Sequence, residues 1–106
     1  MVKIPVEVRA FLQKVKRKFV PDKIYIFGSR AAGKAARISD WDFIVVSKCF
    51  KGVDGYRRSV AIYELAAGDF ALDVICFTPQ EFENRKKEVS IISEAIEKNT
   101  LVEVSV

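Results

Sequence analysis

The sequence contains no histidine and only two cysteines, one tryptophan and one methionine among its 106 residues. The missing histidine excludes Ser-His-Asp and Cys-His catalysis. Cys49 and Cys76 lack a CxxC spacing, so a zinc site is also excluded. We expect both cysteines to be buried, reduced thiols. Any chemistry must therefore use carboxylates, hydroxyls, amines or a bound metal ion.

Long apolar runs are missing as well. No stretch is apolar enough to span a bilayer, and the N-terminal MVKIPVEVRAF interleaves charged and apolar residues, unlike the uninterrupted core of a signal peptide. Half of the residues are apolar and 30% are charged, which is typical of a globular chain. We expect a cytoplasmic protein that has no membrane partner and folds as one domain over residues 1–106.

Positive charge is in modest excess. The net charge is +4, and basic residues cluster between Lys14 and Lys18 and between Arg85 and Lys87. Such clusters can bind nucleic acid. No aromatic residues interleave them and no nucleic-acid motif accompanies them, so solvated helix faces explain them better. A small RNA- or DNA-binding domain is therefore the last function that we consider.

Hydrophobic periodicity predicts alternating helices and strands. Helices are predicted over residues 5–19, 29–36, 56–67 and 79–99, and the last of these begins at a capping box formed by Thr78 and Glu81. Strands are predicted over residues 24–27, 41–46 and 70–77, and residues 101–106 are predicted to be an edge strand or an extended docking segment. One face of the third helix is lined by Tyr56, Val60, Tyr63 and Ala67. This order indicates a small α/β layer structure.

Residues 27–42, FGSRAAGKAARISDWD, contain the most informative motif. Gly28, Gly33 and Lys34 fit the first part of a P-loop, but Ala35 stands where a serine or threonine would ligate magnesium. The pattern is loose, and P-loop proteins need a larger parallel sheet than this chain can build. We therefore disfavour the P-loop interpretation.

A second interpretation begins at Gly28 and Ser29. Glycine lets the backbone approach a phosphate closely, and a serine at the start of a helix adds its hydroxyl to the exposed N–H groups there. Arg30, Lys34 and Arg37 can then bind the remaining charge of a triphosphate. These five residues predict a phosphate-binding site.

Three aspartates would form the acidic part of this site. Asp40 and Asp42 lie two apart at the start of a predicted strand, so both carboxylates project from one face, while Trp41 and Phe43 project from the other. Two Mg²⁺ ions would neutralise such a pair and clamp both reacting oxygens of a phosphoryl transfer. Asp73 lies in an otherwise apolar strand, where a carboxylate needs a partner. If the two strands are neighbours, Asp73 can ligate one ion and accept the proton of an incoming hydroxyl.

The motif G-S-x10-D-x-D, with a later strand aspartate, resembles the signature of the minimal nucleotidyltransferases (MNT) of the DNA polymerase β superfamily. These are the small antitoxin partners in HEPN/MNT toxin–antitoxin pairs. The matching residues are Gly28, Ser29, Asp40, Asp42 and Asp73. The resemblance covers nearly the whole chain. One departure is Ala32, where many relatives carry a second arginine, and Arg30 and Lys34 are the candidates to substitute for it.

The resemblance implies a mixed β-sheet flanked by helices, as in the polymerase β palm, with two Mg²⁺ ions and a nucleoside triphosphate, usually ATP. It implies that Asp40 and Asp42 bind both metals, that Asp73 binds one and activates the acceptor, and that Gly28 and Ser29 hold the β- and γ-phosphates. The implied reaction transfers AMP to a hydroxyl group and releases pyrophosphate. In relatives that act as antitoxins, the acceptor is similar to a tyrosine of an all-helical HEPN toxin, which the modification silences.

Two functions of different classes remain. The first is catalytic modification of a protein partner, which the intact set of three carboxylates favours. The second is a non-catalytic antitoxin that neutralises its partner by occlusion. No additional domain that would read a template is evident, so we expect no polymerase activity and an acceptor site that depends on another subunit. The sequence leaves homo-oligomerisation open.

Overall fold

A computed structural model describes residues 3–28, 31, 40–68, 70–88, 94 and 101–106. Their helices are α1 (Val6–Phe19), α2 (Gly55–Ala66) and α3 (Pro79–Lys87), with a 3₁₀ turn at Lys48–Phe50. Their strands are β1 (Lys23–Phe27), β2 (Trp41–Val46), β3 (Leu72–Phe77) and β4 (Leu101–Glu103). In this part of the chain, no helix is long and apolar enough to cross a membrane.

The strands form one sheet in the order β3-β2-β1-β4. β1 is antiparallel to both β2 and β4, whereas β2 and β3 are parallel. A parallel pair needs a crossover connection, and α2 lies between β2 and β3 in the chain and provides it. The mixed sheet flanked by helices confirms the fold class expected from the sequence.

One face of the sheet is covered by α1 and α2. The apolar positions of α1 recur every three or four residues, and Phe11, Leu12 and Val15 are buried there. They pack with the odd-numbered side chains of β2, among them Phe43, whose ring centroid lies 5.7 Å from that of Phe11. Trp41 also belongs to this core. The predicted direction of the Trp41 and Phe43 side chains is therefore confirmed.

The other face is covered at one end by α3. Phe82 packs there with Val46 and Phe77, and Tyr25 stacks on the Phe82 ring at 5.2 Å. The predicted capping box is confirmed: the Thr78 hydroxyl accepts a hydrogen bond from the Glu81 N–H, and the Glu81 side chain accepts one from the Thr78 N–H. Because α3 packs at the carboxyl ends of β2 and β3, it leaves their amino ends to the acidic residues described below.

Two predicted boundaries are wrong. The last helix was expected to continue to residue 99, but Glu88 has an extended backbone (φ −97°, ψ 160°) and α3 ends at Lys87. Glu94 is helical, while the rest of 89–100 lies outside the described residues. The third strand begins at Leu72 instead of Phe70. The predicted helix over 29–36 falls outside the described residues except for Ala31, which is in a turn.

The terminal segment forms the predicted edge strand. β4 pairs with β1, and the Val104 N–H continues the pairing by donating to the Ile24 carbonyl at 2.8 Å. The ion pair between Lys23 and Glu103, at 3.1 Å, joins the same two strands. Both side chains are half exposed, so this pair adds little stability. The backbone pairing therefore holds β4 in place.

The cysteines differ from expectation. Cys49, in the 3₁₀ turn, is exposed, and Cys76 is half-buried. Both are free thiols. Burial raises the pKa of the Cys76 thiol to about 12, so this thiol is protonated and unreactive at neutral pH.

The sequence did not predict the cluster around Arg58, the one buried charged residue in the described part of the chain. Its guanidinium donates hydrogen bonds to the Val53 carbonyl at 2.6 Å, the Cys76 carbonyl at 3.1 Å and both carboxylate oxygens of Glu81, at 2.6 and 3.3 Å. These bonds tie α2 to the ends of β3 and α3. The hydrogen bond from Arg58 is the main cause that lowers the pKa of Glu81, and the Thr78 N–H adds to it.

We predict that Glu81→Gln reduces the dependence of stability on acid pH. A carboxyl group whose pKa is lower in the folded than in the unfolded state stabilises the fold above its unfolded value, here near 4.5, and loses that contribution as the pH falls through the folded pKa. Urea unfolding between pH 7 and about pH 3 measures the loss. The exposed Glu83→Gln provides the control, and an unchanged acid profile in Glu81→Gln would contradict the prediction.

Candidate active site

The acidic end of the sheet lies where β2 and β3 begin. Asp42 and Asp73 occupy matching positions in the parallel register of these strands. Side chains at matching positions of neighbouring strands project from the same face, so the two carboxylates lie side by side on the face opposite the α1 and α2 core. The two strands are therefore neighbours, which was the condition for a shared site, and their register brings these two aspartates together.

Gly28 lies directly against Asp42. It follows the last residue of β1, which pairs with Asp42 in the antiparallel register, and its backbone has φ +77°. A Cβ atom at this position would lie 2.8 Å from the Oδ2 atom of Asp42, closer than non-bonded carbon and oxygen atoms approach. Glycine is therefore favoured both by the left-handed backbone and by the carboxylate that lies over it, which would have to shift to make room for a side chain.

Electrostatics single out Asp42 among the three aspartates. Burial, followed by the negative charges of Asp73 and Asp40, raises the pKa of the Asp42 carboxyl group. Each of these causes disfavours its charged form. The negative charges of Asp40 and Asp73 therefore both act on the Asp42 carboxyl group. A cation bound there would relieve this repulsion.

Asp73 is more exposed than the sequence suggested. An apolar strand implied a desolvated carboxylate, yet Asp73 is exposed while Asp42 is half-buried. The reason is the strand order: among the described strands, β3 has a neighbour only on the β2 side, and water reaches the Asp73 side chain. Asp40, just before β2, is exposed too.

The donor set fits a hard divalent cation, because carboxylate oxygens are the ligands that Mg²⁺ prefers. In the ranges described above, however, no three acidic or cysteine side chains already have the arrangement of a metal site. Asp40, Asp42 and Asp73 would have to draw closer around the ion. Ser29, Arg30, Lys34 and Arg37 lie outside the described residues, so their predicted contacts with phosphate stay predictions.

We predict that Asp42→Asn stabilises the metal-free protein. The substitution removes a charge that burial and two like charges disfavour, and after allowance for solvent screening we expect a gain of about 0.5–1 kcal/mol, or a rise of roughly 2–5 °C in melting temperature. Thermal unfolding in a chelator measures it. Asp22→Asn, on an exposed aspartate outside the site, is the control. A lower melting temperature for Asp42→Asn would show that the charge is not destabilising.

Comparison with solved structures shows the same fold elsewhere. BolA1 from Arabidopsis thaliana superposes with a TM-score of 0.59 at 22% identity, over 74% of this chain and 98% of that one. The BolA domain of SufE1 from Arabidopsis thaliana gives 0.59 at 19% identity, over 74% and 99%. At these identities the likeness shows the fold alone.

A third structure bears on activity. It is a candidate nucleotidyltransferase from Sulfolobus solfataricus, with a TM-score of 0.58 and 26% identity over 74% of this chain and 75% of that one. None of the curated proteins matches the sequence significantly. The family model of the nucleotidyltransferase domain matches residues 8–106. This match extends from α1 through β4 and includes all three aspartates, and the chain therefore belongs to the nucleotidyltransferase domain family.

Proposed function

We propose that this protein is a Mg²⁺-dependent nucleotidyltransferase that transfers AMP from ATP to a hydroxyl group on another protein. The observation that carries the proposal is the parallel register of Asp42 with Asp73 beside the backbone of Gly28. It supports a site in which the Asp42 and Asp73 carboxylates and the backbone at Gly28 contact the same reacting group. Family membership supports nucleotidyl transfer as the kind of reaction.

In the proposed reaction, the oxygen of the acceptor hydroxyl forms a bond to the α-phosphorus of ATP. The bond between the α-phosphorus and the oxygen that leads to the β-phosphate breaks, and pyrophosphate leaves. Asp73, with its exposed carboxylate, accepts the proton of the hydroxyl. Asp40, Asp42 and Asp73 would hold Mg²⁺, which when bound neutralises charge on the phosphate oxygens. Gly28 has no side chain and so leaves the space beside Asp42 open. Ser29, Arg30, Lys34 and Arg37 are the candidate ligands of the triphosphate.

The proposed acceptor is a tyrosine of an all-helical HEPN-type toxin, which makes this protein an antitoxin. The motif resemblance supports this assignment, and the position of Asp73 is compatible with it. Because Asp73 is exposed on an edge strand, a side chain from a second protein can reach it without rearrangement of the sheet.

The test uses the protein together with its co-purifying partner, Mg²⁺, and ATP labelled at the α-phosphate in one reaction and at the γ-phosphate in another. We expect the partner to acquire label from α-labelled ATP only. Asp73→Asn should reduce the rate by a factor of about 10²–10⁴, because it removes the proton acceptor. Asp22→Asn, which changes an aspartate outside the site, should leave the rate unchanged.

Each alternative outcome has a distinct meaning. Label from the γ-phosphate would indicate a kinase and contradict the proposal. No label from either, with partner binding intact in both variants, would favour neutralisation by occlusion. Nucleic-acid binding that is steeply dependent on salt but independent of Asp40 and Asp42 would instead favour the basic-domain hypothesis.

A further inference from the structure

The outer face of α2 carries an apolar stripe that the core does not use. The helix buries Arg58, Ile62 and Ala66 against the rest of the molecule. The α2 stripe is defined here as Tyr56, Val60 and Tyr63, on the opposite side of the helix, together with Ala67, the left-handed residue that caps its C-terminus. Tyr56 is 80% exposed and Tyr63 is 39% exposed. The two tyrosines and Ala67 are thus exposed and Val60 is half-buried, while an arginine occupies the buried face.

The spacing of the α2 stripe is that of a helix-packing seam. Its helical members Tyr56, Val60 and Tyr63 are four and three residues apart, the spacing of the a and d positions of a coiled coil, and Ala67 follows four residues later at the end of the helix. Large and small side chains alternate along it: Tyr56, Val60, Tyr63, Ala67. A partner helix that places small residues opposite the tyrosines would therefore interdigitate with it.

A second copy of the same helix in antiparallel orientation meets this requirement. About a two-fold axis perpendicular to the helices, Tyr56 of one copy lies opposite Ala67 of the other, and Val60 lies opposite Tyr63. A parallel pair would instead stack each tyrosine on its own counterpart.

The charges beside the stripe favour the same orientation. Arg57 and Glu64 are seven residues apart, so they flank the stripe on the same side. A two-fold axis perpendicular to the helices places the flank that carries Arg57 and Glu64 in one copy against the same flank of the other copy. Arg57 of each copy then faces Glu64 of its partner. Within one copy, Arg57 makes only a highly exposed pair with Asp54, at 3.3 Å, and Glu64 makes no ion pair with any described residue.

We infer that the α2 stripe is the interface of a two-fold symmetric homodimer, in which α2 packs antiparallel against α2 of a second copy. Interfaces of this type are isologous and use one patch twice. A single helix pair buries less than a standard interface of about 1,600 Å², and we expect a dissociation constant on the order of 1–100 μM. Because α2 covers the face of the sheet opposite Asp42, both acidic sites remain accessible in the dimer.

Analytical ultracentrifugation of the full chain over a concentration series around that range tests the inference. The wild-type protein should change from monomer to dimer. Tyr63→Glu should raise the dissociation constant at least ~10-fold, because each dimer contains this contact twice. Val6→Glu, which changes an equally apolar but unrelated exposed residue at the start of α1 (83% exposed), should have no effect.

A charge-reversal cycle tests the orientation. Arg57→Glu places a carboxylate opposite Glu64 of the second copy, and Glu64→Arg places two guanidinium groups together, so each should weaken the dimer about 10-fold. The double variant Arg57→Glu/Glu64→Arg should return to within roughly threefold of wild type. Circular dichroism establishes that each variant is folded. A wild-type monomer at every concentration, or a dimer insensitive to Tyr63→Glu and to the charge reversals, would overturn the inference.

Discussion

Replacing Gly28 by alanine is expected to reduce the rate of the proposed AMP transfer about 100-fold or more while the protein stays folded. The added Cβ atom would lie 2.8 Å from Oδ2 of Asp42, so either the carboxylate or the end of β1 must move. A displacement of about 1 Å in a catalytic group can cost 10²-fold in rate. Alanine at a φ of +77° also costs about 1–2 kcal/mol in stability.

The chain offers a matched control for this substitution. Gly52 has the same φ of +77°, but a Cβ atom there would meet nothing within 4 Å. Gly52→Ala should therefore show a similar loss of stability from the backbone and no loss of activity. Initial rates with α-labelled ATP and thermal unfolding of both variants provide the comparison. Equal rates in the two variants would mean that the contact with Asp42 has no part in the reaction.

Replacing Arg58 by methionine is expected to lower the free energy of unfolding by about 1–3 kcal/mol. Methionine fills much of the same volume but donates no hydrogen bond, so the Val53 and Cys76 carbonyls and the Glu81 carboxylate lose their common donor. Leaving partly buried carbonyl groups without a donor has a cost of this size, whereas the Glu81 side chain is 46% exposed and keeps its hydrogen bond from the Thr78 N–H. A domain of this length has roughly 5–15 kcal/mol in total, so the loss would be a large fraction of its stability.

Urea unfolding at pH 7 measures this effect. Arg57→Met, one residue earlier on the exposed side of α2 with its side chain 79% exposed, should change stability by less than about 0.5 kcal/mol. The double variant Arg58→Met/Glu81→Leu should be more stable than the sum of the two single losses implies, because each single variant already loses the ion pair between Arg58 and Glu81. Full additivity would show that Arg58 and Glu81 act independently.

Local signals in the sequence predicted those parts of the fold that depend on neighbouring residues. The bounds of β2 and the start of α3 were predicted correctly, because β-branched residues and a capping box act within a few positions. The pairing of Asp42 with Asp73 was also anticipated, on the condition that β2 and β3 are neighbours. The roles of these residues in catalysis and the phosphate contacts of residues 29–37 stay predictions.

Packing between residues far apart in the chain determines the features that the sequence did not predict. The periodicity of α2 predicts an apolar face, but not that a buried arginine would occupy the core side while the tyrosines face outward. Arg58 is buried only because two carbonyls and Glu81 converge on it from three separate elements. Similarly, the apolar strand around Asp73 suggests a desolvated carboxylate. The strand order places this strand at an edge of the sheet, where the Asp73 side chain is exposed.

The strand order also has a consequence for synthesis on the ribosome. β1 is an inner strand, and one of its two neighbours, β4, is formed by residues 101–103. The β1 edge facing β4 therefore stays unpaired while roughly 75 intervening residues are translated, which takes about 4–15 s at common rates. During that interval a nascent chain exposes a strand edge on which another chain can pair. Early binding of a partner at this edge would shorten the period in which aggregation competes with folding.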